Sequence, residues 1–399
     1  MKNLLSGFVC LFTILLFTNC ANDDNITRIE TSLVYKVYAL NAISDPSVTG
    51  YSRFVKNEDQ SVTIELNLSG LLSDQMHPAH IHYNTAAETG GIAITLGTIN
   101  SNTGRSEVTI TELDDGTPIT YEELLDFDGY INVHLSNSNL DILVAQADIG
   151  QNELTGVTKT YGLNELDVDG ISGSAKFSER LNGEALATIQ LTNAIPGNEH
   201  PAHIHNNTAL ESGTVALTFN PVDGDTGISH TNITQLDDTT PFLYENIEDF
   251  DGYINVHLSP TDLDTIIAQG DIGENELTGE SVVYELDEVA IADISGTASF
   301  YKRQNGEALA IIELMNTPVD GIHPGHIHEN DIATTGPIMF TFNDVDGNTG
   351  ISQTNVIQLD DGTTFGYDDV LEVNGYINIH LSATNLNTLV AQGNIGINN

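Results

Sequence analysis

The sequence of 399 residues predicts an all-β protein made of three tandem antiparallel domains of the sandwich or barrel type. Three observations lead to this prediction. A block of sequence recurs at a fixed spacing of 123 residues, its polar and apolar residues alternate with a period of two, and clusters of Asp, Asn and Gly separate the alternating runs. A unit of this length has the usual size of an independent domain, so each copy is expected to have its own core.

Two histidine-containing motifs mark each copy, His-Pro-(Ala/Gly)-His-Ile-His and Gly-Tyr-Ile-Asn-(Val/Ile)-His. They occupy residues 77–82 and 129–134, residues 200–205 and 252–257, and residues 323–328 and 375–380. The spacing holds without a gap, so we expect domains at residues 31–153, 154–276 and 277–399. Short connectors near Glu153 and Glu276 predict that neighbouring domains touch.

Within a copy, short alternating runs predict eight strands. Ser61–Leu68, for example, alternates polar and apolar residues and so indicates a half-buried strand. The strands predicted for the first copy are Val34–Leu40, Gly50–Val55, Ser61–Leu68, Ala79–Tyr83, Ile92–Leu96, Val108–Glu112, Tyr130–Ser136 and Leu143–Ile149. One short helical turn is expected at Tyr121–Asp126. Many short strands separated by turns are typical of antiparallel sandwiches and barrels.

The composition excludes several classes of protein. With 57 acidic and 11 basic residues, the formal charge is −46, which leaves no basic face for a nucleic acid. Two cysteines are too few for a small fold that is held together by disulfide bonds. A hydrophobic fraction of 40% argues against intrinsic disorder. The acidic residues therefore indicate a solvating surface.

The N-terminus predicts export. A basic start is followed by the apolar run Leu4–Phe17, which is too short to span a bilayer and is typical of a signal peptide over residues 1–19. The segment Phe17-Thr18-Asn19-Cys20 resembles a lipobox, which predicts lipidation of Cys20 and a tether over residues 20–30. The expected location is the outer membrane or cell surface, with the lipid as anchor. The alternative is an ordinary cleaved signal with an incidental cysteine.

Twelve of the 13 histidines recur in phase, four in each of the three copies. His80 and His82 are two residues apart on a predicted strand, so both point to one face with their Cα atoms about 6.5–7 Å apart. In the second motif, alternation puts Asn132 and His134 on one face, which supplies a third imidazole from another strand. His77 enters from the loop. Neutral imidazoles without a thiolate suit Zn²⁺ or Cu²⁺ better than hard cations.

The sequence therefore gives four candidate metal ligands per domain. They are His77, His80, His82 and His134; His200, His203, His205 and His257; and His323, His326, His328 and His380. A structural polar network and a pH switch remain as alternatives for these histidines. His230 has Ser106 and Gln353 at the matching positions, which indicates a surface residue.

A second, weaker cation site is suggested by residues 344–350, Asp-Val-Asp-Gly-Asn-Thr-Gly, whose alternating oxygen ligands resemble a Ca²⁺ loop. The matching segment of the first copy, residues 98–104, has no carboxylate, and no bidentate Glu follows at the expected spacing. An Asx-Gly hairpin turn is the favoured interpretation.

At these residues the chain resembles the chordin-type (CHRD) domain family. The resemblance rests on the strand Gly173-Ser-Ala-Lys-Phe177, the His-Ile-His core, the Gly-Tyr-Ile-Asn-Val-His segment and a closing strand, and it covers each copy almost fully. The family's closing strand contains an Arg, which residues 263–270 lack. The resemblance implies a Greek-key sandwich of the immunoglobulin or superoxide dismutase kind, without a defined activity, in proteins that are secreted or lipid-anchored in bacteria.

Three functions are open at this point. The leading hypothesis is a surface-anchored, non-catalytic lipoprotein whose three domains each bind Zn or Cu. The second is an adhesion or matrix-binding protein, with an extracellular partner and structural histidines. The third is a copper enzyme similar to superoxide dismutase; the counterparts of that family's second metal site, Arg and disulfide are missing, and a charge of −46 would repel superoxide.

Overall fold

The computed structural model describes residues 33–399 and confirms an all-β protein with three successive antiparallel β-domains. The predicted signal peptide, the tether and Cys20 lie outside the described residues. Within residues 33–399, none of the helices has the length and apolar character required to cross a membrane.

The first domain is a closed barrel of eight strands in the order β1-β2-β3-β6-β5-β4-β7-β8. Its elements are β1 (Tyr35–Ala42), β2 (Thr49–Lys56), β3 (Val62–Ser69), β4 (Met76–Tyr83), β5 (Ile92–Asn100), β6 (Arg105–Ile110), α1 (Tyr121–Leu125), β7 (Asp128–Ser136) and β8 (Asn139–Gly150). The pairing of β3 with β6, while β4 pairs with β5 and β7, gives non-consecutive neighbours in the barrel.

The second and third domains repeat this order with two strands each divided in two. The second domain contains β9 (Leu154–Glu165), β10 (Ser172–Arg180), β11 (Ala185–Thr192), β12 (Glu199–His200), β13 (Ala202–Asn206), β14 (Val215–Thr218), β15 (Val222–Asp223), β16 (Ile228–Ile233), a 3₁₀ turn (Tyr244–Asn246), β17 (Asp251–Ser259) and β18 (Asp262–Gly273). The third contains β19 (Leu277–Glu288), β20 (Gly296–Arg303), β21 (Ala308–Leu314), β22 (Ile322–His323), β23 (Gly325–Glu329), β24 (Ile338–Thr341), β25 (Val345–Asp346), β26 (Ile351–Val356), α2 (Tyr367–Glu372), β27 (Asn374–Ser382) and β28 (Asn385–Gly396).

Proline explains where the first of these strands divides. β12 and β13 flank Pro201, and β22 and β23 flank Pro324, because proline has no N–H to donate to the neighbouring strand. The strand still stays attached to its partner, since the carbonyl of Pro201 accepts a hydrogen bond from the His257 amide at 2.8 Å. In β4 the register shifts between Pro78 and His80 instead of breaking the strand.

Each domain has a separate apolar core formed by the inward-facing residues of alternating strands. In β3 every second side chain from Val62 to Leu68 is buried, which is the period-two pattern of the sequence. A phenylalanine at the same position of each repeat, Phe54, Phe177 or Phe300, is completely buried. Full burial of such a side chain contributes about 1.5–3 kcal/mol to each fold.

The predicted strands of the first domain are all present, with one displaced. The sixth strand covers Arg105–Ile110 rather than Val108–Glu112, because Glu112 pairs with Pro118 in a separate bridge that begins the next turn. The predicted helical turn is α1, which begins after Thr120. The Thr120 side chain caps the Glu123 amide, and the Glu123 carboxylate accepts from the Thr120 amide in a capping box.

We expect Phe177→Ala to lower the free energy of unfolding of the second domain by about 3–5 kcal/mol, because it leaves a cavity that the strands cannot close. Urea unfolding followed by circular dichroism measures this loss. Val157→Ala, on an exposed side chain of the same domain, should change it by less than about 0.5 kcal/mol. Equal effects of the two substitutions would contradict the assigned core.

Candidate metal centre

The pairing of β4 with β7 brings three histidines of the first domain together. His80 lies opposite Asn132 and His82 opposite Tyr130, and alternation puts both histidines on one face of β4. His134 reaches the same face from β7 because it lies two residues after Asn132 on that strand, and β8 carries the extra residues where its register with β7 shifts.

The three imidazoles face one common point. One ring nitrogen from each of His80, His82 and His134 lies within 4.8 Å of the other two. Nδ1 of His80 is 3.1 Å from Nε2 of His134, and the ring centroids of His80 and His82 are 5.8 Å apart. Nitrogens at these separations are close enough to bind one ion at the usual Zn–N distance of about 2.0–2.1 Å.

Backbone carbonyls fix the direction of two of these rings. The carbonyl of Gly90 accepts from Nδ1 of His82 at 2.9 Å, and the carbonyl of Leu140 accepts from Nδ1 of His134 at 2.5 Å. A carbonyl only accepts hydrogen bonds, so Nδ1 must carry the proton, and in the neutral ring Nε2 has the free lone pair. The ligand atoms are therefore Nε2 of His82 and His134, together with Nδ1 of His80.

The other two domains reproduce this arrangement. The groups are His203, His205 and His257 in the second domain and His326, His328 and His380 in the third. The carbonyls that orient them belong to Gly213 and Leu263, and to Gly336 and Leu386. In the third domain all three inward nitrogens, Nδ1 of His326 and Nε2 of His328 and His380, are buried and have no hydrogen-bond partner.

A glycine and a tyrosine that the sequence reasoning did not assign to the site also position His82. The amide of Gly90 donates to the Tyr130 hydroxyl at 3.1 Å, and the Tyr130 ring stacks on His82 with centroids 5.0 Å apart. A Cβ at residue 90 would lie 2.0 Å from the carbonyl oxygen of Tyr83, so only glycine fits there. Its recurrence as Gly213 and Gly336, at the spacing of the repeat, is the signal that could have found it.

The fourth histidine of each domain is not part of the triad. His77 is fully buried, and its Nδ1 donates to the backbone carbonyl of His134 at 3.1 Å. His200 and His323 make the same contact with His257 and His380. The structure does not bring these predicted ligands into the groups of converging nitrogens, and the contact that it shows holds the backbone of the third triad histidine.

Burial favours the neutral form of two histidines in each triad. The pKa values of His80 and His134 lie below their ordinary value, chiefly because partial burial disfavours the charged ring, and the neighbouring histidines add to this effect. The same direction and leading cause apply to His203, His257, His326 and His380. A neutral imidazole is the form that binds a metal ion.

The calcium-like loops do not form a second site among the described residues. The groups of His, Cys, Asp or Glu that lie close enough to share an ion within residues 33–399 are the three histidine triads. The Asp346 carboxylate instead accepts from the Asn348 amide at 2.7 Å, and Gly350 ends the turn with a φ of +73°. This is the Asx-Gly turn that the sequence favoured.

His230 lies apart from all three triads. It is an exposed residue of β16, and its Nδ1 is 3.1 Å from the Thr188 hydroxyl of the paired strand β11.

Comparison with known proteins does not identify a family, so the function has to be inferred from the geometry of the triads. No protein-family model matches the chain, and no curated protein matches it either.

We expect the metal-free chain to lose stability as the pH falls from 7.5 to 5.5. Six triad histidines have folded pKa values below the ordinary 6.5, so the unfolded chain takes up protons before the folded chain does. The stabilisation is therefore complete above about pH 6.5 and is lost as the pH falls through the lowered values. Urea unfolding of the metal-free chain at several pH values measures it.

The matched control replaces His134, His257 and His380 with Gln. This variant should show a shallower decline of the free energy of unfolding over the same pH range. An unchanged slope would mean that the triads do not titrate as their burial requires.

Proposed function

We propose that this chain is a surface-anchored, non-catalytic lipoprotein of the chordin-type domain family, whose three β-domains each bind one Zn or Cu ion. The single observation that carries the proposal is the set of three convergent imidazole nitrogens in every domain. Binding at these nitrogens would serve either to capture the metal ion or to make each domain a more rigid binding module.

The hydrogen bonds of the triads favour a metal over a structural network. Buried polar atoms in proteins are almost always hydrogen-bonded, and an orphaned one costs about 1–3 kcal/mol. In the second histidine of each triad, His82, His205 or His328, Nδ1 is paired with a backbone carbonyl. Nε2 of the same ring is buried without a partner. An ion bound between the converging nitrogens would supply the partner that these atoms lack.

The donor set limits the choice of ion. Three neutral nitrogens without a thiolate or a carboxylate within reach favour Zn²⁺ or Cu²⁺ over Ca²⁺ and Mg²⁺. The carbonyls that fix the rings at Nδ1 are the kind of outer support that metal-binding histidines usually have. His80 and His82 remain partly exposed, so an ion can enter from solvent.

Equilibrium dialysis against Zn²⁺ or Cu²⁺, followed by elemental analysis, tests the proposal. The native chain should take up three ions. Replacing the third triad histidine with Gln in one domain, as in His134→Gln, should reduce the uptake to two, and the combined variant at positions 134, 257 and 380 should bind none. His230→Gln is the matched control and should still bind three.

Uptake far below three ions by the native chain would overturn the proposal. So would variants that destabilise the chain equally with and without a chelator, since this result supports the adhesion hypothesis with structural histidines. A copper-loaded chain that dismutates superoxide faster than free copper would overturn the non-catalytic part.

The lipid anchor has its own test, metabolic labelling with a radioactive fatty acid in a bacterial host. We expect the native chain to carry label and to sediment with membranes, because acylation of Cys20 supplies the apolar anchor. Cys20→Ser should lose both properties, whereas Cys10→Ser should keep them. Label on the Cys20→Ser variant would contradict acylation at this residue.

A further inference from the structure

Each junction between neighbouring domains contains a buried arginine. β8 ends at Gly150 and β9 begins at Leu154, so only three residues connect the first two domains. Arg180, at the end of β10 in the second domain, is 1% exposed and forms an ion pair with Asp148 of the first domain at 2.7 Å. Arg303 of the third domain is fully buried and pairs with Asp271 of the second at the same distance.

The arginine ties three segments together. Besides Asp148, Arg180 donates to the backbone carbonyl of Asn152 in the connector and, through Nε, to Asn232 on β16. The Asn232 side chain in turn donates to the Glu88 carboxylate of the first domain at 3.2 Å. The loop after β10 closes over the connector, where the Glu153 carbonyl accepts from the Leu181 amide at 2.9 Å.

The second junction contains the same contacts, each made by the residue 123 positions later. Arg303 bonds Asn355 and the carbonyl of Asn275, and Asn355 donates to Glu211. The connector carbonyl of Glu276 accepts from the Gln304 amide at 3.0 Å.

The outward-facing copies of these positions are neutral. The first domain has Asn57 where the others have the arginine, and the third has Asn394 where the others have the aspartate. Likewise Thr109 stands in place of the junction asparagine and Thr334 in place of the junction glutamate. The charged pair occurs at both internal junctions, and its members are absent from the two equivalent faces that have no neighbouring domain among the described residues.

We propose that this arginine–aspartate pair is a latch that holds neighbouring domains in one fixed relative orientation. A buried arginine with a carboxylate and a carbonyl as acceptors tolerates little movement, because shifting either domain leaves a buried charge without its partner. The inference is independent of the metal sites, since no latch residue belongs to a triad. Its consequence for the chain is an array of three domains that moves as one body.

The carboxylate of the latch can be removed while its bond inside the first domain is kept. Oδ1 of Asp148 accepts from the Ala86 amide inside the first domain, and only Oδ2 faces the arginine. Asn394 performs the internal role in the third domain, where its Oδ1 accepts from the Ile332 amide at 3.1 Å. Asp148→Asn therefore copies a substitution that the third domain already carries.

The test is digestion of the folded full chain with a glutamate-specific protease. Glu153 and Glu276 are the last connector residues, and their carbonyls are bonded to the next domain, so cleavage requires the junction to open. The double variant Asp148→Asn, Asp271→Asn should be cleaved at least about tenfold faster at these two positions. Small-angle X-ray scattering should show a larger radius of gyration. Asn394→Asp is the matched control and should behave like the native chain.

Connector cleavage and scattering equal to those of the native chain would overturn the proposal. A uniform increase in cleavage at glutamates throughout the chain would also overturn it, because the pair would then support folding in general and not the junction. Arg180→Met should also raise cleavage at Glu153, since it removes the contact with Asp148 together with the bond to the connector carbonyl of Asn152.

Discussion

The pairing of the fourth and seventh strands is the constraint on which each metal centre depends. These strands are separated by 52 residues from His82 to His134, and the sheet topology makes them neighbours. Once they pair, alternation along β4 supplies two imidazoles and alternation along β7 supplies the third. The same pairing buries Ile81 and Ile131 on the opposite face, so the apolar core and the polar site are two sides of one contact.

Alternation and repetition made much of this predictable from sequence. The period of two placed His80 and His82 on one face, and the constant spacing showed that a third histidine belongs to the same group. What could not be predicted was the role of backbone atoms. Carbonyls such as those of Gly90 and Leu140 have no residue-type signal, and they become acceptors only through the fold.

The fourth histidine of each domain is a second case in which a backbone contact could not be predicted from the sequence. A motif with three histidines in six residues suggests three ligands from one strand, but Pro78 interrupts the regular pairing and the register shifts before His80. His77 therefore lies beneath the carbonyl of His134 rather than beside its ring. The residue type showed that His77 belongs near the triad. Its role depends on a hydrogen bond to the backbone carbonyl of His134, which the residue type does not reveal.

The junction arginines matter for domain contact because the chain as a whole is strongly acidic. A molecule with 57 acidic and 11 basic residues has domains that repel one another. Solvent and its ions screen this repulsion less where two surfaces are in contact. A carboxylate at the contact would add to the repulsion unless a cation faces it. Two of the few basic residues are buried at the contacts, which converts an unfavourable approach of acidic surfaces into a directional attraction. Because neutral asparagines replace both partners on the outward faces, the attraction acts between consecutive domains and does not favour stacking of separate chains.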